Sequence, residues 1–332
     1  MRDVSEIESA IRSWKYLMEP AGARFRRLEE IWRFYAKHLF AHYEPLATGH
    51  SNEDPHFESR LLSWLANCDS EEDQKTLYQL INHLFFVGPR EFESLYASAL
   101  NRCVVPWLVE QANIRIDSGD YDGLVRRELR KTLICPVTDS LRINAFHHVC
   151  KIENRDLRPD LRTLIELGDD EKIEKFLKSE RISRIVLLED FIGTGSQAKK
   201  AIVRAALRLK RPILFVPLLT CPEAKGLFER LTRTHKMLSF APVVSLPSSV
   251  FVAENVSAGE PNYFSSLRQL AISTKEFVIG PKPNARAKAM SPFGYSKTGG
   301  LVVTHTNTPN NTLLLLHRSS KTWQALFPRS KR

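Results

Sequence analysis

The stretch Arg184-Ile185-Val186-Leu187-Leu188-Glu189-Asp190-Phe191-Ile192-Gly193-Thr194-Gly195-Ser196-Gln197 decides the fold. Ile185–Leu188 is a short, wholly apolar run of the kind that a parallel sheet buries on both faces. Two acids and two apolar residues follow, then glycines at 193 and 195, then a helical pattern over Gln197–Leu209. A strand that ends in a glycine turn opening a helix presents backbone N–H groups and the positive end of the helix dipole, which suits a phosphate. The glycines permit close backbone approach, and Thr194 and Ser196 add hydroxyl donors.

Two other phosphate loops share parts of this pattern. A Walker loop requires Gly-x-x-x-x-Gly-Lys-Ser/Thr, whereas Gly195 is followed by Ser-Gln-Ala-Lys-Lys. Gly193, Gly195 and Ala198 do satisfy Gly-x-Gly-x-x-Ala, but a dinucleotide site needs an acid at the end of the next strand, where Leu218-Leu219-Thr220 stands. Here the acids precede the glycines. Adjacent carboxylates accept from the vicinal hydroxyls of a sugar and favour a developing oxocarbenium ion, and an acid pair can also simply flank a tight turn.

Around this loop, short apolar runs alternate with helical patterns, the signature of a parallel α/β sheet flanked by helices. The expected strands are Thr132–Pro136, Ile185–Leu188, Ile213–Leu219, Phe240–Val244 and Leu301–Thr304, and the expected helices are Glu171–Lys178, Gln197–Leu209, Glu223–Thr234 and Tyr263–Lys275. Pro281–Gly300, rich in Pro, Gly, Ser and Lys, reads as a long loop.

The front of the chain has a different period. Phe25, Leu28, Ile31, Trp32, Tyr35 and Leu39 mark one helix, Leu77, Leu80, Ile81, Leu84 and Phe85 a second, and Phe92, Leu95, Tyr96, Ala99 and Leu100 a third that Pro106 should end or kink. Ser70 with Asp73 three residues on is a helix N-cap signature. The sequence therefore predicts an α-helical N-terminal packing or interaction domain over 1–125 and an α/β domain over 126–332.

A chain of 332 residues, 43% hydrophobic and 26% charged, can bury a substantial core. No apolar run approaches membrane-spanning length, and the polar start carries no export signal, so a soluble cytoplasmic protein without a membrane partner is expected. The five cysteines are widely spaced and form no Cys-x-x-Cys pair, which argues against a disulfide framework or a zinc site. Asp117, Asp120 and Asp122 do not meet calcium-loop spacing, so no intrinsic metal site is expected. A formal charge of +10 favours anionic partners.

Cys135-Pro136-Val137-Thr138-Asp139-Ser140-Leu141-Arg142 is the second loop of interest. It follows a strand and opens a helix, so Thr138, Asp139, Ser140 and Arg142 are candidates, the hydroxyls to donate to phosphate oxygens and Arg142 to supply charge, although Thr-Asp-Ser is equally an ordinary helix cap. Arg155, Arg158 and Arg162 offer forked guanidinium donors, Arg158 being a further candidate, and they also fit a solvated turn. Near the C-terminus, His305, Asn307, Asn310 and Asn311 follow a strand and could wall a base site, with His305 either structural or a proton carrier.

Ile185–Ser196 resembles the phosphoribosyltransferases: four apolar residues, two acids, two further residues and a Thr-Gly-Thr-like turn. The resemblance implies the type I phosphoribosyltransferase fold, with Glu189 and Asp190 on the ribose hydroxyls as the catalytic pair. It assigns Gly193, Thr194, Gly195, Ser196 and Gln197 to the 5-phosphate, the later loop 305–311 to a hood, and Mg2+ to the oxygens of the ligand itself. The ligand implied is phosphoribosyl pyrophosphate or a nucleotide. Members acting on 6-oxopurines carry an Asp where Gly193 stands, which argues against hypoxanthine or guanine.

The helical front, this loop, and the ending Ser291-Pro292-Phe293-Gly294-Tyr295…Asn307-Thr308-Pro309-Asn310-Asn311-Thr312-Leu313…Leu326-Phe327-Pro328-Arg329 together resemble a bacterial phosphoribosyltransferase-like family of conflict and antiphage systems. Its members include effectors encoded beside retron reverse transcriptases. That resemblance implies an effector restrained by a regulatory protein, such as a reverse transcriptase with its nucleic acid. A catalytically inactive nucleotide-sensing or partner-binding module and a metabolic phosphoribosyltransferase are the alternatives.

Overall fold

The computed structural model describes residues 3–44, 56–138, 140–152, 169–256 and 259–329. Seven strands lie in the described chain: β1 Phe85–Val87, β2 Thr132–Pro136, β3 Arg184–Ile192, β4 Ile213–Thr220, β5 Leu238–Phe240, β6 Val244–Ser245 and β7 Val302–Thr304. They belong to two compact units, one formed by Met1–Pro89 with Ser248–Arg332 and the other by Arg90–Pro247. The boundary expected near residue 125 thus falls inside the second unit, because the helices from residue 90 onward contribute to the packing of its sheet. The residues after 248 join the N-terminal helices instead.

The second unit is a parallel sheet in the order β2-β3-β4-β5, with β6 also on β4. Every residue of β4 is buried, as expected of a central strand covered on both faces. On one face Leu133, Cys135, Ile185, Leu187, Ile213 and Phe215 meet Ile173 and Leu177 of the helix Asp170–Ser179, Ala198 and Ile202 of the helix Ser196–Arg208, and Ala224 and Phe228 of the helix Pro222–Thr234. Each large side chain fully buried there contributes about 1.5–3 kcal/mol. The intervening residues Val186, Leu188, Leu214, Val216 and Leu218 are also buried.

A π-helical segment, Ala99–Val104, lies against β4. It joins the helix Pro89–Ser98 to the helix Val105–Ala112, and the Val105 N–H reaches back five residues to Leu100 O. This is where Pro106 was expected to disturb the helix. The missing proline N–H is accommodated by widening the preceding turn.

A second proline explains why the expected strand Phe240–Val244 is two short ones. Phe215 pairs with Phe240 and Leu219 with Val244, and in the gap Ala241 N and Val243 N donate to Phe215 O and Pro217 O. A parallel ladder would return a bond from residue 217 to Ala241 O, and Pro217 has no N–H to make it. The pairing breaks there and resumes two residues later.

In the first unit, Trp14, Phe25, Trp32, Phe40, Phe57 and Trp64 from the N-terminal helices share one core with Phe264, Phe293, Leu313–Leu316, Trp323 and Phe327. Ser70 caps the helix Glu71–Leu80 as expected, accepting from Asp73 N. That helix stops before Phe85, however, which lies in β1. β1 pairs in parallel with β7, so the expected strand Leu301–Thr304 is not part of the large sheet. A four-residue apolar run such as Leu84–Val87, cut off by Gly88-Pro89, carries too little periodicity to tell strand from helix end.

The two C-terminal motifs interlock through backbone. Tyr295 N donates to Asn310 O at 2.7 Å, Gly300 N to Asn311 O at 2.8 Å and Leu313 N to Gly300 O at 2.9 Å. Gly294, at φ 75° and ψ −163°, sits where only glycine is comfortable, and a Cβ there would run into Thr312 O and stand 2.7 Å from Asn310 O. Pro281–Gly300, expected as a loop, contains the short helix Ala285–Lys288 and is held by these bonds.

Candidate functional site

β3 runs on past Leu188 through both acids to Ile192, and the turn Gly193–Gly195 leads directly into the helix Ser196–Arg208. Gly195 adopts φ 77° and ψ −2°, the left-handed region, and a Cβ there would stand 2.9 Å from Phe228 Cε2. Glycine is required at 195 for conformation and for space alike. Thr194 is buried with its Oγ1 3.0 Å from Ser196 Oγ, while Ser196 and Gln197 are exposed. The first turn of the helix carries no acid, and Lys199 and Lys200 follow it. Cations beside the positive end of a helix dipole are favourable where an anion lies between them.

The parallel pairing of β2 with β3 sets Pro136 beside Leu188, so the chain leaving β2 passes the acids as β3 reaches them. Thr138 N donates to Glu189 Oε2 at 3.0 Å, and Thr138 Oγ1 lies 2.6 Å from Glu189 Oε1. Ser140 Oγ lies 2.7 Å from Thr138 Oγ1, 2.9 Å from Asp190 Oδ1 and 3.2 Å from Glu189 Oε1. Phe191 N donates to Asp190 Oδ1 at 2.8 Å. The two loops singled out in the sequence are thereby one cluster.

Within that cluster the acids differ. Glu189 is 5% exposed and wholly engaged by Thr138 and Ser140, whereas Asp190 is half-buried. Burial first, and then the adjacent charge of Asp190, push the Glu189 carboxyl well above the ordinary carboxylate range, against the opposing effect of the Thr138 bonds.

One further residue belongs here that periodicity had assigned to the core. Tyr96, on the helix Pro89–Ser98, packs edge-on against Phe146 at 5.8 Å. Its hydroxyl is pushed up to about 12, chiefly by burial and next by the charge of Asp190, with Arg142 acting in the opposite direction. Tyr96 therefore stands within electrostatic reach of Asp190. The available sequence signal was slight, a polar tip on an otherwise apolar stripe.

Arg142 is exposed, and its carbonyl accepts from Ala145 N at the start of the helix Ile143–Val149. Asp139 and Arg158 lie outside the described residues. His305, Asn307, Asn310 and Asn311 belong to the other unit. Asn307 Oδ1 accepts from Thr308 N, Asn311 Nδ2 donates to Thr298 Oγ1, Asn310 Oδ1 accepts from Arg329, and His305 N donates to Val87 O, all of them bonds within that unit. Among the described residues no group of three or more His, Cys, Asp or Glu is placed to hold a metal ion, and no helix is long and apolar enough to cross a membrane.

A parallel sheet flanked by helices, carrying an acid pair and a helix-opening glycine turn at the carboxyl end of one strand, defines a phosphoribosyltransferase-like α/β protein. The PRTase-CE family model matches residues 61–329, and the chain belongs to that family. No curated protein matches the chain, and no solved structure does.

Proposed function

We propose that this protein binds phosphoribosyl pyrophosphate or a nucleotide, with the 5-phosphate on Gly193–Gln197 and the ribose hydroxyls on Asp190. The observation that carries the reading is the juxtaposition of the turn, the acid pair and the Thr138–Ser140 loop at the carboxyl ends of two adjacent parallel strands. Open α/β sheets bind ligands at that edge. In the reaction that fits such a site, the bond from C1 of the ribose to its leaving group breaks. An acceptor nitrogen or a water oxygen then bonds C1, and the leaving group departs as pyrophosphate or free base. Asp190 stabilises the positive charge that develops on the sugar.

Thr138, Ser140 and Arg142 would face the diphosphate. Magnesium, in this reading, travels on the oxygens of the ligand and on water. The test is calorimetric titration with phosphoribosyl pyrophosphate and magnesium, together with an assay for pyrophosphate or base release. Wild type should bind, and Thr194→Val with Asp190→Ala should not. Binding untouched by that pair of substitutions, or none by wild type, overturns the reading.

The biological role we propose is that of a cytoplasmic effector in a retron-type antiphage system, restrained by a partner such as a reverse transcriptase with its nucleic acid. Support for that role is the resemblance of the loop and the C-terminal motifs, and co-purification with an adjacently encoded reverse transcriptase tests it. A nucleotide-sensing module is the second reading. It is favoured by one observation, that Glu189 has both oxygens occupied by the protein's own loop.

A further inference from the structure

Four oxygen atoms run from one acid to the other: Glu189 Oε1, Thr138 Oγ1, Ser140 Oγ and Asp190 Oδ1, at successive separations of 2.6, 2.7 and 2.9 Å. Each is a hydrogen-bond distance, so each contact needs one hydrogen between its two oxygens. The two hydroxyls supply two hydrogens and an ionised carboxylate supplies none. With both acids ionised, Thr138 would donate to Glu189 and Ser140 to Asp190, leaving lone pair against lone pair across the 2.7 Å contact between the hydroxyls. Turning either hydroxyl inward fills that contact and empties another.

One additional proton closes the count. If Glu189 Oε1 carries it, Glu189 donates to Thr138, Thr138 to Ser140 and Ser140 to Asp190, all in one direction. The longer contact of 3.2 Å from Ser140 Oγ to Glu189 Oε1 then shares the same proton. Glu189 Oε2, the carbonyl oxygen of the neutral acid, still accepts from Thr138 N, and the negative charge rests on Asp190, where Phe191 N adds a further donor at 2.8 Å.

We infer that the site holds one proton on Glu189, relayed through Thr138 and Ser140 to Asp190, so that the acid pair carries a single negative charge. Glu189 is thus a positioning residue and proton reservoir, and Asp190 alone faces the sugar. The part of this that concerns the sugar rests on the proposed ligand; the proton does not.

The surroundings agree. Asp190 on the same strand is the charge that acts on Glu189, and among the described residues no cation is a partner of Glu189. Among the described residues, Tyr96 on the helix Pro89–Ser98 feels the charge of Asp190, and Arg142 after β2 and Cys150 after the helix Ile143–Val149 act on Tyr96 in turn. Burying a second ionised carboxylate beside Asp190 would cost more than protonating it.

Infrared spectroscopy of the full chain, with glutamate labelled at its side-chain carboxyl with carbon-13, tests the proton directly. At about pH 7 the ligand-free wild type should show a neutral-carboxyl band that Glu189→Gln removes. In wild type alone, raising the pH should convert that band to carboxylate reversibly, which needs no variant to fold. The absence of a labelled neutral band at pH 7 overturns the inference.

Calorimetry with phosphoribosyl pyrophosphate in two buffers of different ionisation enthalpy forms the second arm. Proton exchange on binding should appear in wild type near the pH of the infrared transition and vanish in Glu189→Gln. Equal exchange in both overturns the coupling of the reservoir to the ligand. Failure to bind overturns the ligand reading alone, and the infrared band decides the proton in either case.

Discussion

Thr138 meets Glu189 across fifty-one residues of sequence with its backbone N–H at 3.0 Å and its hydroxyl at 2.6 Å, one on each carboxyl oxygen. A side chain at the end of β3 thereby fixes the backbone of the loop that follows β2. Removing the acid leaves the part-buried Thr138 N–H without its acceptor, while the hydroxyls of Thr138 and Ser140 keep each other and Asp190, at about 1–3 kcal/mol for an unsatisfied group. Glu189→Ala should therefore lower the urea midpoint, and Glu189→Gln, which keeps an acceptor for Thr138 N, should recover most of the loss. Equal destabilisation by both would show that the Thr138 contact is not what matters.

The raised Glu189 carboxyl gives stability a signed pH dependence. Its folded value lies above the unfolded value of 4.5, so the folded state binds the extra proton. The contribution is fully present below 4.5 and is lost as pH rises from there through the folded value. In thermal melts, wild type should lose stability relative to Glu189→Gln as pH is raised through that window. A difference that grows in the other direction would contradict the assignment.

His317 should give the opposite slope. It is buried in the first unit with Nε2 at 3.2 Å from Thr312 O. Burial above all, aided by Arg329, brings it down to about 4 from 6.5. Its stabilising contribution is present above 6.5 and is lost as pH falls through about 4. Melting wild type and His317→Gln between those limits checks this, with the variant expected to be the flatter of the two.

Gly195→Ala should fail in two ways. An alanine held at a positive φ costs about 1–2 kcal/mol, and its methyl must displace the Phe228 ring. The expected result is a lower melting temperature, together with at least a tenfold loss of affinity for phosphoribosyl pyrophosphate. Unchanged affinity would mean that the turn does not touch the phosphate.

At the end of β4, Thr220 is fully buried beside Ile192, and its hydroxyl has no hydrogen-bond partner among the described residues. Thr220→Val keeps the shape and removes the unpaired group, so it should raise stability by about 1 kcal/mol. Chemical denaturation measures it, and a loss instead would reveal a partner for the hydroxyl.

The elements of the second unit were legible because their signals are local. Ile185–Leu188 and Ile213–Leu219 declare buried strands by composition, and the glycine turn before Gln197 declares a helix start. What the sequence withheld depends on pairing. Nothing local says that Thr138 and Ser140 come level with Glu189, since that follows from the register of β2 on β3. The break opposite Pro217 is a missing hydrogen bond between strands, invisible until their alignment is known. Tyr96 looked like one more core aromatic because a helical stripe gives the direction of a side chain and not what waits at its tip. Leu301–Thr304 had the right composition for the main sheet, and its partner proved to be Phe85–Val87.

The first unit draws its core from both ends of the chain, with Phe327 and Trp323 packed among the same residues as Trp14 and Phe25. On the ribosome, the stretch 90–247 emerges with its own sheet complete, while the helices before it must wait with exposed aromatic surface until the residues after 248 are made. A stop near residue 310 would release a chain whose unit 90–247 is whole and whose other unit is a target for chaperones and proteases.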